Sequence, residues 1–424
     1  MEAHLRDARA AGMLDRRADD ASVRPALEVL LRFLRLGLTS FGGPVAHLGY
    51  FRREFVERAG WLDDAAYAEI VALCSVLPGP TSSQVGIALG ARRAGPLGGL
   101  LAWVGFTTPS ALAMAALGVA FNAARRPWPG FGRADFAGAL LGLDGVATAV
   151  VFVAVLAMAR SLLKTRFAYA AAPLAFAATL AIDARAPAFT WVVLAASGVA
   201  AAFWAPPAAL PAGSALPRVP LSLGIAAAAF FIAGLVVLPA FAGQSEFASL
   251  FATFFRAGSL VFGGGHVVLP FLQTIVASGR VDAAHFLLGY GLVQAAPGPL
   301  FTFSAYLGAA DVRAAGAPWL GASAALAGIF APSFLLLAAA APLWSRVRAL
   351  PRAASALTGL NAAVVGILAA VFVVPIGASI VRSPLAIGIA LGAFALLQFA
   401  RAPAWAVVLA GAGCGALAGT LHPI

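Results

Sequence analysis

Residues 33–48 read FLRLGLTSFGGPVAHL, and residues 254–269 read FFRAGSLVFGGGHVVL. Set 221 residues apart, they share Phe33/Phe254, Arg35/Arg256, Gly37/Gly258, Phe41/Phe262, Gly42/Gly263, Gly43/Gly264 and Leu48/Leu269. Most of these identities are Phe, Gly and Arg, not the abundant Ala and Leu, so biased composition does not produce the match. The correspondence continues in order. Asp63 aligns with Asp282, Pro78-Gly79-Pro80 with Pro297-Gly298-Pro299, and Gly95 with Gly316. Pro109-Ser110 then aligns with Pro332-Ser333, and Gly142-Leu143-Asp144 with Gly359-Leu360-Asn361. Two homologous halves are the economical reading.

The solvent of these halves follows from composition. Of 424 residues, 62% are hydrophobic and only 11% charged. A soluble chain is roughly 25% charged. A soluble enzyme, a disordered chain and a secreted disulfide scaffold are thereby excluded, and an all-α polytopic membrane protein remains. About thirteen apolar spans can be counted between residues 26 and 419, the Pro-Gly-Pro segments 65–91 and 283–311 among them. The expected organisation is a cytoplasmic tail (1–25), a first half (26–205), a linker with an extra membrane helix (206–246), and a second half (247–424). If 65–91 and 283–311 each cross the membrane, seven crossings separate the two repeat starts and the halves are inverted. If those segments are re-entrant, the count and its parity change.

The net charge of +11 comes almost wholly from arginine. In a membrane protein such residues mainly set orientation. No basic recognition element stands outside the apolar spans, so nucleic acid is not expected as a partner. The two cysteines, Cys74 and Cys414, are read as buried free thiols, and no His/Cys spacing suits a metal or a cofactor. His-Glu-x-x-His, Gly-x-Ser-x-Gly and Walker motifs are absent, so no enzyme is read here.

The polar groups inside the apolar runs carry the function. Pro78, Gly79 and Pro80 break one span, and Pro297, Gly298 and Pro299 break its counterpart. Broken backbone at membrane depth is tolerated where it is buried in protein or lines a cavity. A half-helix starting after Pro80 would present free N–H groups to an anion, with donors from Thr81, Ser82, Ser83 and Gln84. Gly42 and Gly43, with Gly263, Gly264 and Gly265, either free backbone donors or permit close helix packing. Arg35 and Arg256 hold equivalent positions and suit an oxyanion, with snorkelling as the competing account. Glu69 and Asp144 are proton-coupling candidates. His47 and His266 receive no metal role.

The combination of Ser40-Phe41-Gly42-Gly43-Pro44, Leu77 to Gln84, Phe262 to Gly265 and Ala296-Pro297-Gly298-Pro299 resembles the chromate ion transporter family in its long, two-domain form. The resemblance runs from about residue 26 to the end of the chain. It implies a multi-pass carrier in a bacterial inner membrane that exports chromate, with sulfate as mimic or competitor, driven by an ion gradient or exchange. A homodimer is an allowed assembly. The glutamine before the Pro-Gly-Pro of this family appears as Gln294, whereas the first half has Ser75 there. A membrane-embedded enzyme acting on a lipid or isoprenoid, and an anion channel, are the alternatives.

Overall fold

A computed structural model describes residues 24–41, 43–123, 133–181, 187–205, 219–241, 243–261, 278–350, 352–373, 383–400 and 402–421, with single positions at 216, 272 and 275. Gly42, Gly263, Gly264 and Gly265 lie outside the described residues, as do most of the tail and much of the linker. The described residues form helices, and no strand occurs among them.

The first half opens with helices that fold back on themselves. An entry helix, 24–39, ends at Ser40, and the chain returns through Gly43–Phe51 and a π-helical turn Arg52–Arg58. Phe33 on the way in stacks on Phe55 on the way back, with ring centroids 4.8 Å apart. The next helix, Asp64–Val76, is started by Asp63, whose carboxylate accepts from the Ala66 N–H at 2.8 Å. Asp282 caps the second-half counterpart, Ala283–Ala295, by accepting from His285 N–H at 2.9 Å. After the Pro-Gly-Pro the chain turns back through 81–93. The helical run Thr81–Ala123 contains a reversal at Ala94 and Gly95. A Cβ placed on Gly90 would lie 2.3 Å from the Gly98 carbonyl, so 81–93 and 96–123 pack backbone to backbone.

The two ends of this broken hairpin therefore meet. Arg93 donates to Glu28 at 2.8 Å, Trp61 lies 3.4 Å from the same carboxylate, and the Arg93 guanidinium sits over the Trp61 ring. In the second half Arg280 pairs with Asp311 at 2.6 Å and with Glu246 at 3.0 Å, closing the hairpin 280–311 in the same way. The sequence left open whether these segments cross the membrane or are re-entrant. The contacts show that each returns to the end from which it started.

The long arm 96–123 spans about 40 Å. It starts beside the Glu28–Trp61–Arg93 base. Near its other end, Asn122 donates to the Ala309 carbonyl at 3.1 Å, two residues before Asp311. Helix Pro318–Ala340 runs the other way: Leu337 near its end packs in the cluster that holds Leu62 and Leu89. Among the described residues, four helical runs are long and apolar enough to cross a membrane: Thr81–Asn122, Leu141–Arg160, Leu221–Phe241 and Pro318–Ala340. The first of these includes the reversal at Gly95.

The sequence halves are not spatial halves. Helix Arg133–Leu162 of the first half packs on Pro384–Gln398 and Ala404–Leu421 of the second. Reciprocally, Ala353–Val371 of the second packs on Arg166–Ala181 and Pro187–Trp204 of the first. Each half thus lends its fourth helix to the other. Small residues at both seams let the backbones approach. Cys74 is buried, but Cys414 is exposed on its helix, against the expectation of two buried thiols.

Arg280 is 5% exposed and Asp311 is fully buried. Arg280→Ala would strand a buried carboxylate, a change worth about 3–5 kcal/mol. We expect a large loss of thermal stability in detergent. Arg52→Ala, which breaks an exposed pair with Asp64, should cost about 0–1 kcal/mol. Equal melting temperatures for the two variants would contradict the assignment.

Candidate functional site

The four chain breaks converge. The Gly79 N–H donates to the Val261 carbonyl at 2.6 Å, and the Gly298 N–H donates to the Ser40 carbonyl at 2.9 Å. Val261 and Ser40 are equivalent positions, each ending the entry helix of its half. Each Pro-Gly-Pro tip is therefore latched to the broken entry helix of the opposite half. Both glycines have positive φ, 123° at Gly79 and 90° at Gly298, which an L side chain rarely adopts. Neither has room for a Cβ. One on Gly79 would lie 2.9 Å from Ser333 Oγ, and one on Gly298 would lie 2.9 Å from Ser110 Oγ. Ser333 and Ser110 are themselves a repeat pair, so the two tips sit in matching seats.

The first-half tip is braced from its own side. Gln84 Nε2 donates to the Pro78 carbonyl at 2.7 Å, and the first helical bond runs from Gln84 N–H to the Pro80 carbonyl. The N–H groups of Thr81, Ser82 and Ser83 consequently have no intrahelical acceptor. Thr81, Ser82, Ser83 and Gln84 are all buried. His47, on the return helix, places Nδ1 3.2 Å from Ser82 Oγ, and its ring meets Phe106 edge-on.

Among the described residues, ten buried side-chain polar atoms lack a hydrogen-bond partner. Eight of them belong to the breaks or to helix turns beside them: Ser40, His47, Thr81, Ser83, Gln84, Thr107, Ser304 and Ser333. An unsatisfied buried polar group costs about 1–3 kcal/mol. Eight beside the breaks would suit a polar guest. The donor set is hydroxyl, imidazole and helix N-terminal N–H. That chemistry suits an anion with several acceptor oxygens. Among the described residues no group of three His, Cys, Asp or Glu side chains is placed to hold a metal ion.

The second-half tip differs. Leu300, Phe301 and Phe303 stand where the first half has Thr81, Ser82 and Gln84, and all three are buried. The chain there starts as a 3₁₀ turn, Leu300–Thr302, with Thr302 bonded back to the Pro299 carbonyl through both its N–H and its hydroxyl. Gln294 hydrogen-bonds the Tyr290 side chain, and Ser75, its first-half counterpart, bonds the Val71 carbonyl. The breaks are symmetric in backbone and unequal in chemistry.

Arg35 and Arg256 are both exposed. Each precedes the carbonyl that receives the opposite tip by five residues, about 140° around a helix. They therefore lie on faces turned away from the crossing of the breaks, and the described contacts do not bring them together. Glu69 and Asp144 are buried and engaged with neighbouring groups. Sequence reasoning assigned no role to His47, Ser40, Ser110, Thr107, Ser304 or Ser333. The aligned Pro-Ser pairs were the available signal for two of them.

Comparison with known proteins places the chain. The family model described as "Chromate transporter" matches residues 27–203 and 248–416. The "Chromate transport protein" of Pseudomonas aeruginosa is 32% identical over 355 residues, covering 81% of this chain and 79% of that one. The "Chromate transport protein" of Cupriavidus metallidurans is 30% identical over 398 residues, covering 91% of each. The "Probable chromate transport protein" of Synechococcus elongatus is 27% identical over 351 residues, covering 81% and 82%. No solved structure matches.

Proposed function

The chain belongs to the chromate transporter family, and from that premise we propose that it is a secondary carrier of a tetrahedral oxyanion, chromate above all. Sulfate, of the same shape and charge, is its competitor. The carrier works as an exporter in the inner membrane of a bacterium, coupled to an ion gradient or to exchange. The observation that supports this reading is the concentration of unpartnered buried polar atoms, most of them hydroxyls, beside the four breaks.

In this reading the dianion rests on the N-terminus of 81–93. The N–H groups of Thr81, Ser82 and Ser83 face it, aided by the hydroxyls of Thr81 and Ser83 and by Ser333 from the opposite half. The apolar second tip walls the site and is not a second binding position. Glu69 and Asp144 remain the coupling candidates, because they are buried acids in the same helical scaffold.

We also infer that the halves, 26–205 and 247–424, are inverted. Both hairpins of the first half return to their starting end, and in the second half Glu246 and Asp311 both pair with Arg280. The crossings between repeat starts are then 96–123, Arg133–Leu162, Arg166–Ala181, Pro187–Trp204 and Leu221–Phe241. An odd number inverts the second half, and the extra helix Leu221–Phe241 supplies the odd one. The hairpin bases at opposite ends of 96–123 agree with this.

Proteoliposomes loaded with chromate or labelled sulfate, with and without a pH gradient, test the reading. Each hydrogen bond to a charged group is worth about 1.5–3 kcal/mol. The double variant Thr81→Ala/Ser83→Ala should therefore raise half-saturation by roughly 100-fold. Unchanged half-saturation would remove the anion from this helix end. Sustained uncoupled current across a planar bilayer would favour a channel instead.

A further inference from the structure

The exposed Arg35 is not isolated. It lines a depression of about 210 Å³ with Thr39, Tyr50, Arg53, Glu54 and Arg58, between the entry helix and its return. Among the described residues Arg35 and Arg53 have no ion-pair partner, while Arg58 lies 3.6 Å from Glu54. Glu54 is already held by Arg32 at 2.6 Å, so it offsets little of the remaining charge. The depression thus gathers three guanidiniums around a space large enough for a small anion. Guanidinium forks match the oxygens of a tetrahedral oxyanion bidentately.

Its position matters as much as its charge. It lies on the outer side of the first hairpin, between the Glu28–Arg32–Glu54 network at the base and the end of the entry helix at Thr39. The second half keeps Arg256 for Arg35 but has no arginine between residues 257 and 279, the stretch that corresponds to the one holding Arg53 and Arg58. This cluster therefore belongs to one half of the protein only.

We propose that Arg35, Arg53 and Arg58 form an outer docking site for a tetrahedral oxyanion, separate from the crossing of the breaks. As a loading station it rests on the carrier reading given above, and it concentrates substrate at one face without setting the direction of net transport. The same chemistry would seat the phosphate of a phospholipid head group, so the lipid is varied in the test.

Equilibrium binding of labelled sulfate is measured on the full chain in nanodiscs of phosphatidylcholine, with or without phosphatidylglycerol. The variants are Arg53→Gln, Arg53→Lys and Thr81→Ala/Ser83→Ala. In phosphatidylcholine we expect two classes of site. Arg53→Gln should weaken one of them at least tenfold, and Arg53→Lys should restore part of it. The Thr81/Ser83 double variant should weaken the other class only. If the carrier reading fails, that double variant changes nothing while the Arg53 class survives. Loss of the Arg53 class on adding phosphatidylglycerol identifies a lipid phosphate as occupant, and its persistence identifies the free oxyanion. Identical binding by Arg53→Gln and the unaltered chain in both lipids overturns the proposal.

Discussion

Replacing Gly79 by valine should reduce oxyanion transport to background while the protein still reaches the membrane. Three effects act at this position. First, φ is 123°, a region nearly closed to branched side chains, at a cost of order 1–3 kcal/mol. Second, the added Cβ would lie 2.6 Å from Gln84 Nε2 and 2.9 Å from Ser333 Oγ. Gln84 is the brace that holds the Pro78 carbonyl, so the tip loses its support as well as its shape. Third, the Gly79 N–H would swing away from the Val261 carbonyl and unlatch the halves. Gly49 is the control, because a Cβ there meets nothing within 4 Å, and Gly49→Ala should transport normally. Uptake into proteoliposomes, normalised to inserted protein, gives the comparison. Normal uptake by Gly79→Val would mean that the tip is a passive kink.

The paired latches also suggest how a carrier of this design moves. Gly79 to Val261 and Gly298 to Ser40 are equivalent bonds in the two halves. A state with both formed has the breaks closed together. On the inverted carrier proposed above, opening one at a time would give access from one end and then from the other.

Much of this was legible in the sequence. The repeat, the membrane class and the two Pro-Gly-Pro breaks follow from Gly, Pro and Phe at a nearly constant offset. Three things were not. An apolar run records length and not direction, so the reversal at Gly95 and the closure of Trp61 on Arg93 were hidden. The latches join backbone groups, N–H to carbonyl, and leave no side-chain signature at Val261 or Ser40. Arg35 and Arg256 were placed at the anion site because their sequence positions neighbour the breaks. Helical periodicity turns them to another face. The unequal chemistry of the tips was readable, since Leu300-Phe301-Thr302-Phe303 aligns with Thr81-Ser82-Ser83-Gln84, but symmetry of the backbone motif drew attention from it.

The exchanged fourth helices predict that the two halves cannot fold apart. Separately encoded fragments 1–212 and 213–424 should co-purify when expressed together, and each alone should be degraded. The reason lies in the seams. Gly142 on Arg133–Leu162 lies so close to the opposite helix that an added Cβ would be 2.0 Å from the Gly411 carbonyl. Gly359 on Ala353–Val371 is placed likewise, 2.1 Å from the Ser197 carbonyl, and Ser197 Oγ donates to the Gly359 carbonyl at 2.8 Å. In lipid, helices associate through such close packing, because water supplies no drive between apolar surfaces. Gly142→Leu must push two backbones apart along a whole seam, which overpacking costs put at about 3 kcal/mol or more. The fragments carrying Gly142→Leu should then no longer co-purify, and the intact variant should melt well below the unaltered chain. Gly392, with nothing within 4 Å of its Cβ position, should accept alanine without either effect. Fragments that fold and purify independently would show that the fourth helices belong to their own halves.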